Sequence, residues 1–425
     1  MLGLAVAVAL VAVARAGQLA IRVSVRHVVR SRTRTRVLLA VTLVAFAGAV
    51  GSDVPRVSSP GARPTAAWAA AVDARPQVRS GGAGSLVSWT SLGVKGQEFV
   101  ASGPTAASIQ HVTGKPAVDP IRIYVGLPSA TTPPARSQIA LDELQRTGAL
   151  HRAVIVLVVP TGSGWVNPAA PSALEYLYGG DVATVAVQYA SVPSWLEYLQ
   201  GLGPARQTSR ALLDTVSAAT RELPPASRPR VILYGESLGA LSGLSSLSPS
   251  DARSDGALWV GVPADSPISD LPDQVRVVHS DDPVSVWSPR LLLGRTPQWR
   301  GSWFPLVSFW QATADLASAY DIPNGHGHRY AGEFVDAWNE IVPAGIRRGA
   351  APARSFEVIR QAVGRGDLPS SGVPDYEDGS GSAASSRNEL ARSVARSPAG
   401  HVGTTWPSGS APMWTTPLAL SATSR

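Results

Sequence analysis

Val231–Gly239 reads VILYGESLG, and this stretch decides the fold. Four apolar residues lead into Gly235-Glu236-Ser237-Leu238-Gly239, and a small-residue helical pattern follows. The five residues match G-x-S-x-G, which carries chemistry only between a strand and a helix, where a tight turn holds the serine strained and exposed. Glycine on either side is needed because a Cβ there would clash across the turn. A phosphate-binding loop is the competing reading. It would want G-x-x-x-x-G-K-[ST], and no lysine lies nearby.

Working outward, apolar runs of strand length alternate with helical patterns. Strands are expected at Ile121–Val125, Ala153–Val159, Thr184–Gln188, Val231–Tyr234, Ala257–Val260 and Val275–His279. The run AVIVLVV at Ala153–Val159 is continuously apolar, the mark of a strand buried on both faces. Helices are expected at Ser137–Thr147, Pro171–Tyr178, Trp195–Glu222, Leu238–Leu247, Trp303–Tyr320 and Tyr330–Ile341. The alternation predicts an α/β fold with a mostly parallel sheet flanked by helices.

The 425 residues are 44% apolar and only 16% charged, which excludes a fully disordered chain. Cysteine is absent, so disulfides, thiolate nucleophiles and Cys-ligated zinc are excluded. The net charge of +7 lies wholly in residues 1–56, which hold eight arginines and one aspartate. The rest of the chain is balanced, whereas a nucleic-acid partner would call for a basic folded body. Six arginines between Arg22 and Arg36 separate two short apolar stretches, Met1–Ala14 and Val37–Gly51. The positive-inside rule keeps that loop in the cytoplasm and places the body outside the membrane. Residues 1–52 are therefore read as a membrane anchor of two short helices, with a signal sequence near Ala47-Gly48-Ala49 as the alternative. Residues 53–95 read as a linker, 96–343 as the folded domain, and 344–425 as a low-complexity tail with one short helix near Ser355–Val363.

A serine hydroxyl needs a base, usually a histidine oriented by a carboxylate, in the chain order Ser, Asp or Glu, His. Asp281-Asp282-Pro283 follows the last expected strand. Asp282 is favoured because Pro283 restricts its backbone, and Asp281 stays open. His326 and His328 lie in a glycine-rich loop before the last helix. His326 is preferred because glycine flanks it on both sides, and His328 stays open. No third ligand clusters with this pair, so neither a metal nor another cofactor is called for. His279, within a strand, reads as a satisfied core residue. Oxyanion donors are expected from the amide of Leu238 and from Gly162 and Ser163 in the loop Pro160–Trp165, which otherwise reads as an ordinary glycine-rich turn.

The strings GQEFVASGPT from Gly96, IRIYVGLPSA, VVPTGSGWVNP, ALEYLYGGD, YGESLG, GALWVG, DDPVSVWSP and GHGHRYAGEFVDAW run in this order. Over about Gly96–Pro343 the chain thereby resembles the actinobacterial membrane-anchored α/β-hydrolase family. The resemblance implies N-terminal membrane helices, an α/β-hydrolase catalytic domain, Ser237 as nucleophile, Asp282 as acid, and His326 or His328 as base. Two departures stand out. Members usually carry more membrane spans, and the connection Gly261–Gln274 is short for a crossover between parallel strands.

Trp259, Trp287, Trp299, Trp303, Phe304, Phe309 and Trp310 cluster in sequence near the expected site. An apolar surface beside a membrane anchor suits a lipid or other acyl-ester substrate. The expected function is hydrolysis of carboxylic esters through an acyl-enzyme. Acyl transfer by the same residues, or a non-catalytic membrane-bound module of the same fold, are the alternatives.

Overall fold

The computed structural model describes residues 66–341, apart from 193, 195–196, 199–200, 248–253, 268–272, 305–306, 318 and 320–321, together with 356–360 and 363. The two apolar stretches read as a membrane anchor lie outside the described residues. Among the described residues no helix is long and apolar enough to cross a membrane.

Six strands form one sheet: β1 (Ile121–Val125), β2 (Val154–Val159), β3 (Val182–Val187), β4 (Arg230–Glu236), β5 (Gly256–Val260) and β6 (Gln274–Val277). Their order is β1-β3-β2-β4-β5-β6, and every pairing is parallel. All residues of β1, β2, β3 and β5 are buried, as a sheet covered on both faces requires. Each such Val, Leu or Ile contributes about 1.5–3 kcal/mol by leaving water.

The helices are α1 (Ala66–Asp73), α2 (Gly93–Ala101), α3 (Ala106–Thr113), α4 (Pro133–Arg146), α5 (Ala169–Leu177), α6 (Gly203–Arg221), α7 (Leu238–Ser246), α8 (Pro283–Val286), α9 (Val307–Ala317) and α10 (Glu333–Ile341). Local chemistry sets their ends. Thr132 caps α4, its side chain accepting from the amide of Ala135, with Pro133 at the first helical position. Thr105 caps α3, which ends at Gly114 in the left-handed region.

The parallel register puts the loops that follow β2, β4, β5 and β6 on one edge. Val159 at the end of β2 pairs with Gly235, and Glu236 at the end of β4 pairs with Val260 at the end of β5. Ligand sites of open parallel sheets lie beyond these carboxyl ends. The connection 261–273 joins β5 to its neighbour β6 with no helix among its described residues.

The expected linker at 53–95 needs correction from Ala66 onward. Trp68, Val72, Val78, Val87 and Leu92 are buried in the main core. The buried carboxylate of Glu143 holds the segment to α4, accepting from Ser80 Oγ at 3.0 Å, Ser85 Oγ at 3.1 Å and the Leu86 amide at 2.7 Å. Burial works against that charge, and hydrogen bonds from Arg146 and Leu86 prevail, holding its pKa below the ordinary value. The short helix expected near Ser355–Val363 is seen at 356–360, and its Ile359, with Val363, joins the main core.

One buried ion pair pins the edge of the sheet. Arg122 on β1 meets Glu175 on α5 through two bonds of 2.8 Å, and neither side chain is exposed. The remaining guanidinium N–H groups donate to Phe99 O, Ser102 Oγ and Ser172 Oγ. All five donors are thus used, and β1, α2 and α5 are tied together. Glu175→Gln keeps the volume but strands a buried guanidinium, and should cost about 3–5 kcal/mol. Urea unfolding of the variant against the parent checks this, and a midpoint unchanged from the parent contradicts it.

Candidate active site

Ser237 stands between β4 and α7 with φ 57° and ψ −122°, one of only two non-glycine residues with positive φ among the described residues. A serine holds that conformation only where its surroundings over-determine it. Here they do. A Cβ on Gly235 would come within 2.7 Å of Gly239 backbone atoms, and one on Gly239 would overlap the carbonyl oxygen of Val159. The Ser237 amide donates to Val260 O at 2.9 Å, fixing the turn to the end of β5.

Two oxyanion candidates meet at this turn. Leu238 opens α7, so its amide is among the first-turn donors that have no partner within the helix. Because Gly239 packs on Val159 and Pro160, the loop 160–165 runs directly beside it. That loop is closed by Thr161 N–H to Trp165 O at 3.0 Å and Gly164 N–H to Thr161 O at 2.8 Å. Gly162 is buried against Val192 and Ser194, and Ser163 is partly exposed.

Asp282 has no exposed side-chain surface. Its Oδ1 accepts from the Val284 amide at 2.8 Å, capping α8. Its Oδ2 accepts from His328 Nδ1 at 2.8 Å and from the Tyr330 hydroxyl at 2.6 Å. Burial, then the Asp282 charge, hold the Tyr330 phenol well above its ordinary pKa, so it remains a donor. The His328 ring lies against Gly261, where an added Cβ would be 2.5 Å from its Cε1. Ser237, bonded to Val260, and His328, packed on Gly261, therefore adjoin the same end of β5.

The expectation that His326 meets Asp282 is corrected. His326 is exposed and lies 3.4 Å from the exposed carboxylate of Asp281. The two histidines project differently because the glycines shape the turn as a whole. Gly325 and Gly327 take φ of 85° and 51°, Gly325 N–H donates to Arg329 O, and His328 N–H donates to Ala319 O at 3.2 Å. This sends His328 inward and leaves His326 in solvent.

His279, read as a core residue, braces the loop. Its Nδ1 is 2.9 Å from Gly327 O and its Nε2 is 2.8 Å from Glu333 Oε1. Both partners only accept, so the ring is satisfied as imidazolium. It stacks on Tyr330 at 4.1 Å, and its backbone N–H donates to the Tyr330 hydroxyl. Burial opposes the positive charge, and the bonds to Glu333 and Gly327 prevail and raise its pKa above 6.5. Glu333 is held below 4.5 in spite of burial, chiefly by the bond from His279.

Three site residues carried no signal in the sequence. Tyr330 and Asn167 act across long loops: Asn167 Nδ2 donates to Tyr330 O at 3.0 Å and to Glu236 Oε1 at 3.3 Å. Glu236 is the variable second residue of G-x-S-x-G and is 4% exposed. Among the described residues no group of three or more His, Asp or Glu is placed to hold a metal ion.

The aromatic residues divide. Trp259 is fully buried in the main core, packed on Gly243, and belongs to no site surface. Trp299, Phe309, Leu291 and Ala312 form a separate apolar cluster, with Trp287 and Trp303 packed against it. It begins directly after α8, the helix that Asp282 caps. Phe304 and Val307 beside it are exposed.

A family model described as "Alpha/beta-hydrolase family" matches residues 121–276 and 269–351. One described as "Alpha/beta-hydrolase family N-terminus" matches residues 1–104. The two matched segments overlap at 269–276, from the end of the connection between β5 and β6 into β6 itself. No curated protein and no solved structure matches the chain.

The His279–Glu333 pair gives the fold a definite pH dependence. A histidine whose folded pKa is raised contributes stability that is complete below its unfolded value, about 6.5, and lost as pH rises through the folded value. Glu333, lowered on folding, contributes above about 4.5 and loses that contribution as pH falls. The pair is therefore at full strength between about pH 4.5 and 6.5. Thermal melts across pH should show Glu333→Gln most destabilised in that window, with the gap to the parent narrowing at alkaline pH. A gap independent of pH contradicts the account.

Proposed function

The chain belongs to the alpha/beta-hydrolase family, and on that premise we propose that it is a serine hydrolase cleaving carboxylic esters through Ser237, His328 and Asp282. The observation that carries this reading is the buried bond from His328 Nδ1 to Asp282, beside a serine on a strained turn. With Nδ1 donating to a carboxylate, Nε2 of the neutral ring is left as the basic nitrogen. Ser237 Oγ attacks the ester carbonyl carbon and its proton passes to Nε2. The carbonyl oxygen becomes an oxyanion, held by the Leu238 amide and a donor at Gly162 or Ser163. As the C–O bond to the alcohol breaks, Nε2–H protonates the departing oxygen and an acyl-serine remains. Water then attacks, gives its proton to Nε2, and the carboxylic acid leaves as Ser237 recovers a proton.

The apolar cluster that follows α8 supports an acyl chain as the group held beside this centre. In this reading residues 1–52 anchor the chain in a membrane, with the arginines between Arg22 and Arg36 on the cytoplasmic side and the body outside. The aromatic face near Phe304 then meets its substrate at or near the lipid surface.

Turnover of a short p-nitrophenyl ester tests the assignment of roles. Ser237→Ala and His328→Ala should each lower kcat by about 10⁴–10⁶-fold. Asp282→Asn should cost about 10⁴-fold, since it misdirects the imidazole. His326→Ala should stay within about tenfold of the parent. Parent-like turnover by Ser237→Ala defeats the serine-hydrolase reading. A dead His326→Ala with an active His328→Ala defeats only the choice of base.

Topology has its own test. Alkaline phosphatase fused to the C-terminus should be active, and a fluorescent protein that matures only in the cytoplasm should be dark. The reverse pair of results contradicts the orientation.

A further inference from the structure

Glu236 sits directly before Ser237 and ends β4 in register with Val260. A buried carboxyl is expensive and normally faces an arginine or lysine. Glu236 does not. Its hydrogen bonds come from neutral donors, the Tyr234 hydroxyl at 2.8 Å and Asn167 Nδ2 at 3.3 Å. The ionisable groups that face it are Tyr234 on its own strand, Asp282 from the loop after β6, and His328 and Tyr330 from the loop before α10. Of these only His328 can become a cation at moderate pH. Asn167 also reaches the Tyr330 carbonyl, which ties the Glu236 carboxyl to the loop that carries His328.

We infer that Glu236 is a positioning carboxylate for His328, so that two buried carboxylates serve one histidine. Asp282 bonds Nδ1 and sets the ring's direction. Glu236 makes no bond to the reacting atoms and acts through the field it places on the ring. When ionised it favours the imidazolium that forms as Ser237 gives up its proton, and when protonated it does not. The inference rests on the proposed roles of Ser237 and His328.

The site thereby acquires a second titration. Burial is the main force raising the Glu236 pKa, to about 7. The His328 charge and the bonds from Tyr234 and Asn167 pull it down, and Asp282 pushes it up. Full reactivity then requires Glu236 to be ionised while the His328 ring takes the serine proton, so a proton remaining anywhere on the pair lowers the rate. The carboxyl works against the fold by its burial and for the reaction by its charge, which explains why an acid stands where a neutral side chain would pack more cheaply.

The test is the rate of fluorophosphonate labelling of the full-length protein from about pH 5 to 9, a range that spans both titrations. Glu236→Gln removes the charge at nearly constant volume. Its plateau rate should fall about tenfold, and its acid limb should move to lower pH by about one unit, because His328 loses a nearby anion. Tyr234→Phe keeps the carboxyl but removes a donor that favours its ionised form. Its acid limb should move the other way, to higher pH, with the plateau kept. Opposite displacements are the expected result. If Glu236→Gln has the parent's plateau and limb, or loses rate equally at every pH with the limb unmoved, the inference is wrong. If that variant does not fold, Tyr234→Phe decides alone: an unmoved limb overturns the inference. A parent protein that does not label at Ser237 defeats the serine-hydrolase reading instead, which separates the two failures.

Discussion

Asp282 is a carboxylate with no exposed side-chain surface and no lysine or arginine bonded to it among the described residues. Such a charge persists only if donors replace the water it has lost. Three do so: the Val284 amide, His328 Nδ1 and the Tyr330 hydroxyl. They come from two segments more than forty residues apart, so this one requirement draws the loop after β6 and the loop before α10 together. It also fixes which histidine turns inward. Among the described residues the His326 ring has only the exposed Asp281 as an ion-pair partner, a contact of little energy in water.

The sheet supplies the platform for that arrangement. Parallel pairing brings the ends of β2, β4, β5 and β6 to one edge. The turn at Ser237 closes because Gly235 and Gly239 let α7 settle against Val159. Behind the edge, β1 is held by Arg122 and Glu175, and the N-terminal segment by Glu143. These buried carboxylates and their partners mark places where separate segments of chain are fastened to one another.

Much of this was legible in the sequence, and the limits are physical. Most strands are legible because a strand buried on both faces is largely apolar, and VIVLVV on β2 is the plainest case, whereas β6, QVRV, alternates buried and half-buried residues. The strand–GESLG–helix pattern located the turn because only glycine tolerates its contacts. The loop histidines were found, but their order was not. Flanking glycines point to His326 as the projecting ring, whereas the direction of both rings follows from the bonds of Gly325 and His328 to Arg329 and Ala319. The segment from Ala66 reads as linker because it is rich in Ala, Pro, Ser, Gly and Arg without a hydrophobic period. Its order comes from Glu143, dozens of residues away. Trp259 looked like a site residue because proximity in sequence does not reveal which face of a strand a side chain occupies. Glu236 and Asn167 could not be singled out, since their meaning lies in bonds spanning 69 and 163 positions.

The central claim is that Ser237, His328 and the turn around Leu238 form one reacting centre. A crystal structure of the phosphonylated protein tests it most directly. The account predicts phosphorus bonded to Ser237 Oγ, the phosphoryl oxygen accepting a hydrogen bond from the Leu238 amide, and His328 Nε2 within hydrogen-bond reach of the adduct while Nδ1 remains on Asp282. An adduct on another residue, or one on Ser237 with His328 turned away and His326 in its place, would contradict it.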